Sequence, residues 1–216
     1  MYLPDHFNED RTEVMHQLIR CNSLAVLVTL APQGLTANHV PMLIDPDPLP
    51  HGTLRGHVAR ANPLWREFDA GTGALAVFTG PQGYISPSWY PSKHEGGKVV
   101  PTWNYAVVHA SGPLLVHDDK QWVRALVTRL TQQQESPRAQ PWQVSDAPAE
   151  FIERMLDAIV GIEIPLTRLQ GKWKMSQNRG ASDRAGVAAG LRAERGEQAN
   201  DMAQWVAGAR GDAAAD

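Results

Sequence analysis

Three stretches of the chain concentrate side chains that could hold a ligand. The densest runs from Gly80 to Tyr105 and carries Tyr84, Trp89, Tyr90, Trp103 and Tyr105, with Lys93-His94-Glu95-Gly96-Gly97-Lys98 in its middle. Trp and Tyr rings are large and flat, with one polar handle each. Such a segment suits a planar ligand or a partner subunit, or its rings pack on the protein's own sheet. Read as a loop it is longer than most connections within a domain, and long loops are commonly functional. The second stretch is Gly56-His57-Val58-Ala59-Arg60-Ala61-Asn62-Pro63. An Arg at a strand end, beside the free N–H groups of a starting helix, has the chemistry of a phosphate site. The simpler reading is a solvated Arg60 with Asn62 as a helix cap. The third is Gly171-Lys172-Trp173-Lys174-Met175-Ser176-Gln177-Asn178-Arg179. From 171 to 195, Lys172, Lys174, Arg179, Arg184, Arg192 and Arg195 face only Asp183 and Glu194. That excess suits a phosphate or nucleic acid, or forms a solvated basic face.

Several chemistries are missing. There is no G-x-S-x-G elbow, H-E-x-x-H, P-loop or G-x-G-x-x-G. The eight histidines are scattered, and only His39 and His57 sit where neighbouring strands could bring them face to face. A single cysteine, Cys21, excludes an intramolecular disulfide and a multi-cysteine zinc site; the expectation is a buried, inert thiol. The formal charge is −3, so binding to nucleic acid by bulk charge alone is disfavoured. No apolar run approaches the ~20 residues of a membrane span, and the first residues lack a basic then apolar leader. The expectation is a soluble cytoplasmic protein without membrane contact.

With 216 residues the chain suits one domain, or one domain with an appended subdomain. Val14, Leu18 and Ile19 recur on one face of a helix over 10–20, with Asp10 and Glu13 at capping-box-like spacing. Ser23–Leu30 and Ala37–Ile44 read as a hairpin around Ala31-Pro32-Gln33-Gly34, since Pro presets one turn angle and Gly permits the other. The Pro-rich 45–52 reads as a loop. Further strands are expected at 53–58, 74–79, 105–116 (with a bend at Ser111-Gly112-Pro113) and 161–169, where Pro165 suggests an edge or bulge. Asn62-Pro63 starts a helical turn. Spacing by four predicts one helix with Trp122, Leu126 and Leu130 inward, after a cap at Asp118 or Asp119. A second has Phe151, Met155 and Ile159 inward. Residues 181–216 are rich in Ala, Gly and Arg, with a short helix around Met202 and Trp205 and a frayed last ten residues. At least six short strands with few helices between them predict a mainly β protein, an antiparallel barrel or sandwich with peripheral helices; a Rossmann sheet is disfavoured.

At the same stretches the chain resembles the PaiB-like family, described as FMN-binding negative transcriptional regulators. The likeness rests on Met1-Tyr2-Leu3-Pro4-Asp5-His6-Phe7, Gly56–Pro63, Tyr84-Ile85-Ser86-Pro87-Ser88-Trp89-Tyr90, Val99-Val100-Pro101-Thr102-Trp103-Asn104-Tyr105 and Gly171–Arg179, in that order. It implies a split β-barrel of the FMN-binding, pyridoxamine-phosphate-oxidase-like kind over residues 1–192, with 193–216 a partly disordered tail. It also implies a homodimer with FMN at the subunit interface. Asn38, His39 and Val40 would lie beside the flavin, and His57, Ala59 and Arg60 near its phosphate. Thr102, Trp103 and Asn104 would come from the loop, and Lys174, Gln177 and Asn178 from the C-terminal segment. The chain departs from the pattern at Gln132-Gln133-Gln134-Glu135, where similar chains often carry a His before the Glu, and at Met175, where Leu is commoner.

The resemblance leaves three readings: an FMN-binding repressor, a flavin-dependent oxidoreductase or flavin reductase without DNA binding, and a barrel that has lost its cofactor and serves as an interaction module. No helix-turn-helix is visible, so DNA contact would fall to the basic 171–195 segment or to a surface made by the dimer. No acid or base is singled out as catalytic, and no metal site is expected.

Overall fold

The computed structural model describes residues 1–194 and 196–208. A short turn at Asp5–Phe7 leads to β1 (Asn8–Glu9) and α1 (Thr12–Cys21). Val14, Met15, Leu18 and Ile19 are buried along one face of α1, as a 3.6-residue period requires. Cys21 ends this helix exposed, not buried as expected. β2 (Leu24–Ala31) and β3 (Gly34–Asp45) form the predicted hairpin, with Leu24 opposite Pro41 and Ala31 opposite Gly34. Gly34 has φ 116°, a conformation in which a Cβ is strained. β4 (Thr53–Ala59) follows the Pro-rich loop. Asn62 then caps a 3-10 turn at Pro63–Trp65, its side-chain oxygen accepting the Leu64 N–H at 2.9 Å.

β5 (Ala74–Ile85) runs well past Thr79, through Gly80-Pro81-Gln82-Gly83. The Gly80–Tyr105 stretch is therefore not one loop. It holds the end of β5, a 3-10 turn at Pro87–Trp89, α2 (Lys93–Gly96) and the start of β6 (Thr102–Gly112). The bend at Gly112-Pro113 separates β6 from β7 (Leu115–His117). A Cβ on Gly112 would lie 2.0 Å from the Pro165 carbonyl oxygen, so only Gly fits. α3 (Lys120–Glu135) is capped by Asp119, whose carboxylate accepts the Trp122 N–H at 2.7 Å.

α4 (Ala149–Asp157) presents a different face from the predicted one. Leu156 is buried, Phe151 and Met155 are exposed, and Ile159 begins the next strand. The predicted strand at 161–169 is two, β8 (Ile159–Pro165) and β9 (Arg168–Lys174), with a turn after Pro165. There the Thr167 N–H donates to the Ser111 carbonyl at 2.9 Å. α5 (Ala181–Ala193) and α6 (Glu197–Val206) complete the chain. The region beyond 193, expected as a tail, thus includes a helix with Met202 and Ala203 fully buried. Of the expected frayed end, 209–216 lie outside the described residues. No helix among the described residues is long and apolar enough to cross a membrane.

The nine strands among the described residues are antiparallel and follow the order β1-β9-β6-β5-β2-β3-β4-β8-β7. The chain divides into two units. One unit comprises Ile19–Phe78 and Ala110–Leu169. Its core is built on Ala25, Leu27, Met42, Leu54, Ala76, Ile162 and Ile164, the inward residues of an alternating pattern. On the opposite side of β4 and β8 lies α3. Leu126 and Leu130 pack with Leu43, and the Trp122 ring lies on Gly161, where a Cβ would come within 2.2 Å of it.

The other unit comprises Met1–Leu18, Thr79–His109 and the residues from Gln170 onward. Here Val187 and Leu191 of α5 and Met202 of α6 are buried. The Trp89 ring and carbonyl rest on Gly190 and Gly186 of α5. The Asp183 carboxylate accepts both the N–H and the hydroxyl of Ser92, at 3.1 and 2.7 Å. These contacts tie the segment after β5 to α5 and give Trp89 and Tyr90 structural work. Adding one methyl at Gly190 drives it into the indole. Gly190→Ala is expected to lose about 1–3 kcal/mol in urea denaturation. Gly96→Ala, at a position with nothing within 4 Å of the added carbon, is expected to stay within about 0.5 kcal/mol.

Candidate functional site

The sequence-predicted residues fall in two groups, one in each unit. On β3, Asn38 points to the half-buried side while His39 is exposed on the other. Val40, at 2% exposure, belongs to the core, so its side chain offers no slot wall. The Asn38 side-chain oxygen accepts from the Asn62 amide at 2.8 Å. Its own NH2 group meets no acceptor among the described residues and faces a cleft of about 550 Å³ lined also by Gln33, Thr36, Ala61 and Glu67. His39 pairs across the sheet with Val26, and His57 with Gly161, so the two histidines are not cross-strand partners.

His57 lies on the side of β4 that α3 covers. Its Nδ1 is buried with no hydrogen-bond partner, and burial pushes its imidazole below the ordinary value. Arg60 does not present a free guanidinium. Its Nη1 and Nη2 donate to the two carboxylate oxygens of Asp118 at 2.9 and 2.5 Å. Its Nε donates to the Asp157 carbonyl at 2.7 Å, and Nη2 also reaches the Ile159 carbonyl at 3.3 Å. This fork holds the start of α3 and the end of α4 against β4. The Arg60 hydrogen bonds keep the Asp118 carboxyl below its usual range. Ala59 ends β4 exposed, and it brings no polar group.

In the other unit, Lys174 donates to the Thr102 hydroxyl and, at 2.8 Å, to the Trp103 carbonyl. Burial pushes its ammonium below the ordinary value. Trp103 is 55% exposed, and Tyr84, also exposed, meets it edge-on with ring centroids 6.1 Å apart. Asn104 is 1% exposed and donates to the Ser176 hydroxyl at 3.0 Å. Gln177 accepts from the Met175 N–H at 2.6 Å and donates to the Trp173 carbonyl. Together they fix the turn at Ser176, a non-glycine residue at φ 62°. Asn104 and Gln177 therefore shape the turn that presents Lys174 and Asn178, and their amides are spent on it. Asn178 itself is exposed.

Two features escaped the residue-by-residue reading. One is the setting of Lys172, named in the sequence only as part of the basic run: it is 8% exposed, donates to the Tyr2 carbonyl at 3.0 Å and lies 5.5 Å from the ring centroids of both Tyr2 and Tyr105. The other is the outer face of β3, β2 and β5, where the register sets Leu35 beside Leu30, Ala37 beside Val28 and Leu75, His39 beside Val26 and Val77, and Pro41 beside Leu24. These residues are half-buried or exposed. The signal for this face was in the sequence: Leu24–Ala31 is apolar at nearly every position, the mark of a strand covered on both sides. A cleft of about 810 Å³ between α3, 141–147 and α4 contains none of the predicted residues. The charges in its wall are already paired, Arg124 with Glu153 and Glu135 with Arg138.

A family model described as "Putative FMN-binding domain" matches residues 1–168. The protease synthase and sporulation protein PAI 2 of Bacillus subtilis is 32% identical over 206 residues, covering 95% of this chain and 96% of that protein. An uncharacterized protein of Emericella nidulans is 36% identical over 226 residues, covering 88% of this chain and 90% of its own. Among solved structures, the FAD and heme binding protein from Mycobacterium smegmatis has a TM-score of 0.58 at 16% identity, covering 85% of this chain and 80% of that one. The flavocytochrome Anf3 from Azotobacter vinelandii has a TM-score of 0.54 at 9% identity, covering 77% of this chain and 69% of that one. At such identities these two establish the fold, which is the split β-barrel type expected. The family model and the Bacillus relative, each spanning most of the chain, carry the assignment further: the chain belongs to the PaiB-like family of FMN-binding-domain proteins.

Proposed function

We propose that the chain binds FMN as a homodimer, with the outer face of β3, β2 and β5 forming the subunit contact. That face carries the reading. Of its residues Leu24, Val26, Val28, Leu30, Leu35, Ala37, His39, Pro41, Leu75 and Val77, only His39 is polar. A sheet face turned to water alternates with polar side chains, and a continuous apolar patch marks an interaction surface. A second copy of the same face covers it with no unpaired polar group other than the imidazole.

The donor set fits FMN. The flavin needs a cationic group for its phosphate, a flat apolar wall for its ring and amides for its pyrimidine edge. Lys174, with no carboxylate partner among the described residues, supplies positive charge. The exposed indole of Trp103 supplies a wall, and the exposed amide of Asn178 supplies edge contacts. When bound, FMN supplies hydride or electron transfer. The chain's residues bind and orient it, and the covered sheet face keeps water away. The reading places the protein in the cytoplasm.

A role in negative transcriptional regulation is the second reading, favoured by one observation. Arg184 and Arg192 are exposed on one face of α5 and line a shared groove with Ala181, Ala185 and Ala188. A dimer would carry two such grooves, suited to two stretches of phosphate backbone. Elsewhere in the basic segment, Lys172 is buried, and Arg179 lies 4.9 Å from the centre of the Tyr90 ring. Salt-sensitive retardation of a promoter fragment, lost in Arg184→Glu, supports this role. NADPH oxidation that depends on added FMN, without retardation, favours a flavin reductase.

The purified protein is expected to be yellow, to release FMN identified by mass spectrometry and to elute as a dimer in light-scattering chromatography. Val28→Glu is expected to yield monomers and to lose FMN with them; a dimer that survives this change removes the proposed interface. Arg60→Ala tests the predicted phosphate ligand. Because Arg60 is committed to Asp118, FMN affinity is expected to stay within about twofold, while the melting temperature falls modestly, as for an exposed pair. The Asp118 carboxyl is held below its ordinary value of 3.8. The pair's contribution is therefore complete above that pH and lost as pH falls through the depressed value. Thermal melts of the variant and the parent should differ most near neutrality, and the difference should narrow in strong acid to the part carried by the two carbonyl hydrogen bonds.

A further inference from the structure

We infer that Lys172 and Lys174 together hold a phosphate dianion, that of the proposed flavin mononucleotide, so this assignment rests on the FMN reading. β9 carries the two lysines two residues apart, and alternation sends both to the same side of the strand. Their surroundings differ from those of the other paired cations. Arg11, Arg55, Arg60, Lys120, Arg124 and Arg129 each meet a carboxylate. Lys172 and Lys174 meet none among the described residues. Their acceptors are neutral: the Tyr2 carbonyl for the first, the Thr102 hydroxyl and the Trp103 carbonyl for the second.

Two ammonium groups in one partly desolvated place, with no negative partner, are costly. A dianion relieves both at once. Each ammonium has three N–H donors; Lys172 uses one and Lys174 two, so each retains a donor. The rings of Tyr2 and Tyr105 beside Lys172 offset part of its charge without neutralising it. They also hold the lysine stem in place. Both lysines lie beyond residue 168, where the family model stops, and Arg60, the other candidate for this task, is already bound to Asp118.

The test uses the full chain, with FMN and riboflavin as probes, because riboflavin is the same ring system without the phosphate. Affinities are read from the quenching of flavin fluorescence. The parent protein is expected to prefer FMN. Lys174→Gln and Lys172→Gln are each expected to weaken FMN by about 10- to 100-fold, the range for hydrogen bonds to charged groups, while riboflavin stays within about twofold. Because Lys172 is buried, Lys174→Gln decides the matter if the other variant fails to fold. An unchanged preference for FMN, or an equal loss for both flavins, overturns the assignment. If the parent binds neither flavin, the FMN reading falls first, and inorganic phosphate becomes the probe. A rise in melting temperature with millimolar phosphate, absent in Lys174→Gln, then sustains the anion site alone. No rise in the parent overturns it as well.

Discussion

Covering the sheet on both of its faces is the constraint on which the rest of the structure depends. β2 and its neighbours present apolar side chains to either side, so burying one side leaves a second to be dealt with. For β4 and β8 the second side is closed by α3, and the closure works through an absence. Gly161 leaves room for the Trp122 ring, which also stacks on His117 with centroids 4.1 Å apart. The carboxylates of Asp45 and Glu163 then hold Arg55 and Arg129 at the edge of the same layer. For β3, β2 and β5 nothing in their own unit does the same. The apolar surface left there is the reason this protein is read as half of a pair.

Charge follows a parallel logic. Arg11, Arg55, Arg60, Lys120, Arg124, Arg129 and Arg138 each meet a carboxylate, and Arg60 is the fullest case, with a bidentate carboxylate and two carbonyls around one guanidinium. Such a group is a brace: it joins β4 to the start of α3 and the end of α4. Lys172 and Lys174 break the pattern. Two neighbouring lysines on one strand, partly buried and held by neutral acceptors, mark the place where an external anion completes the arrangement.

The hairpin at 24–45, the cap at Asp119, the helix over 120–135 and the mainly antiparallel plan were legible because each follows from local chemistry: alternation, a Pro-Gly turn, a carboxylate before an apolar period. The inward face of α4 was misread, since Phe151, Met155 and Ile159 fit a spacing of four, yet the chain leaves the helix before Ile159. β9 runs on through Lys172 and Lys174, past the end of the strand expected at 161–169. The continuation of β5 was hidden by Gly80, Pro81 and Gly83, ordinary breakers that a long strand tolerates here. Of the predicted site residues, Lys174, Trp103 and Asn38 kept groups free to act; Arg60, Asn104 and Gln177 did not, because their partners come from distant parts of the chain or from a turn no local rule foretells.

Residue order alone determined which side chains could serve a flat, phosphorylated ligand, and it was enough to point to the family, because motif identity and spacing are properties of the chain itself. Tertiary structure decided which of those groups are available. Whether a cation is spent or free depends on the carboxylates that folding brings to it, as with Asp118 reaching Arg60 across 58 positions. Whether an apolar face is interior or outward depends on which helix lands upon it. Both are matters of long-range contact, and no local pattern of residues encodes them.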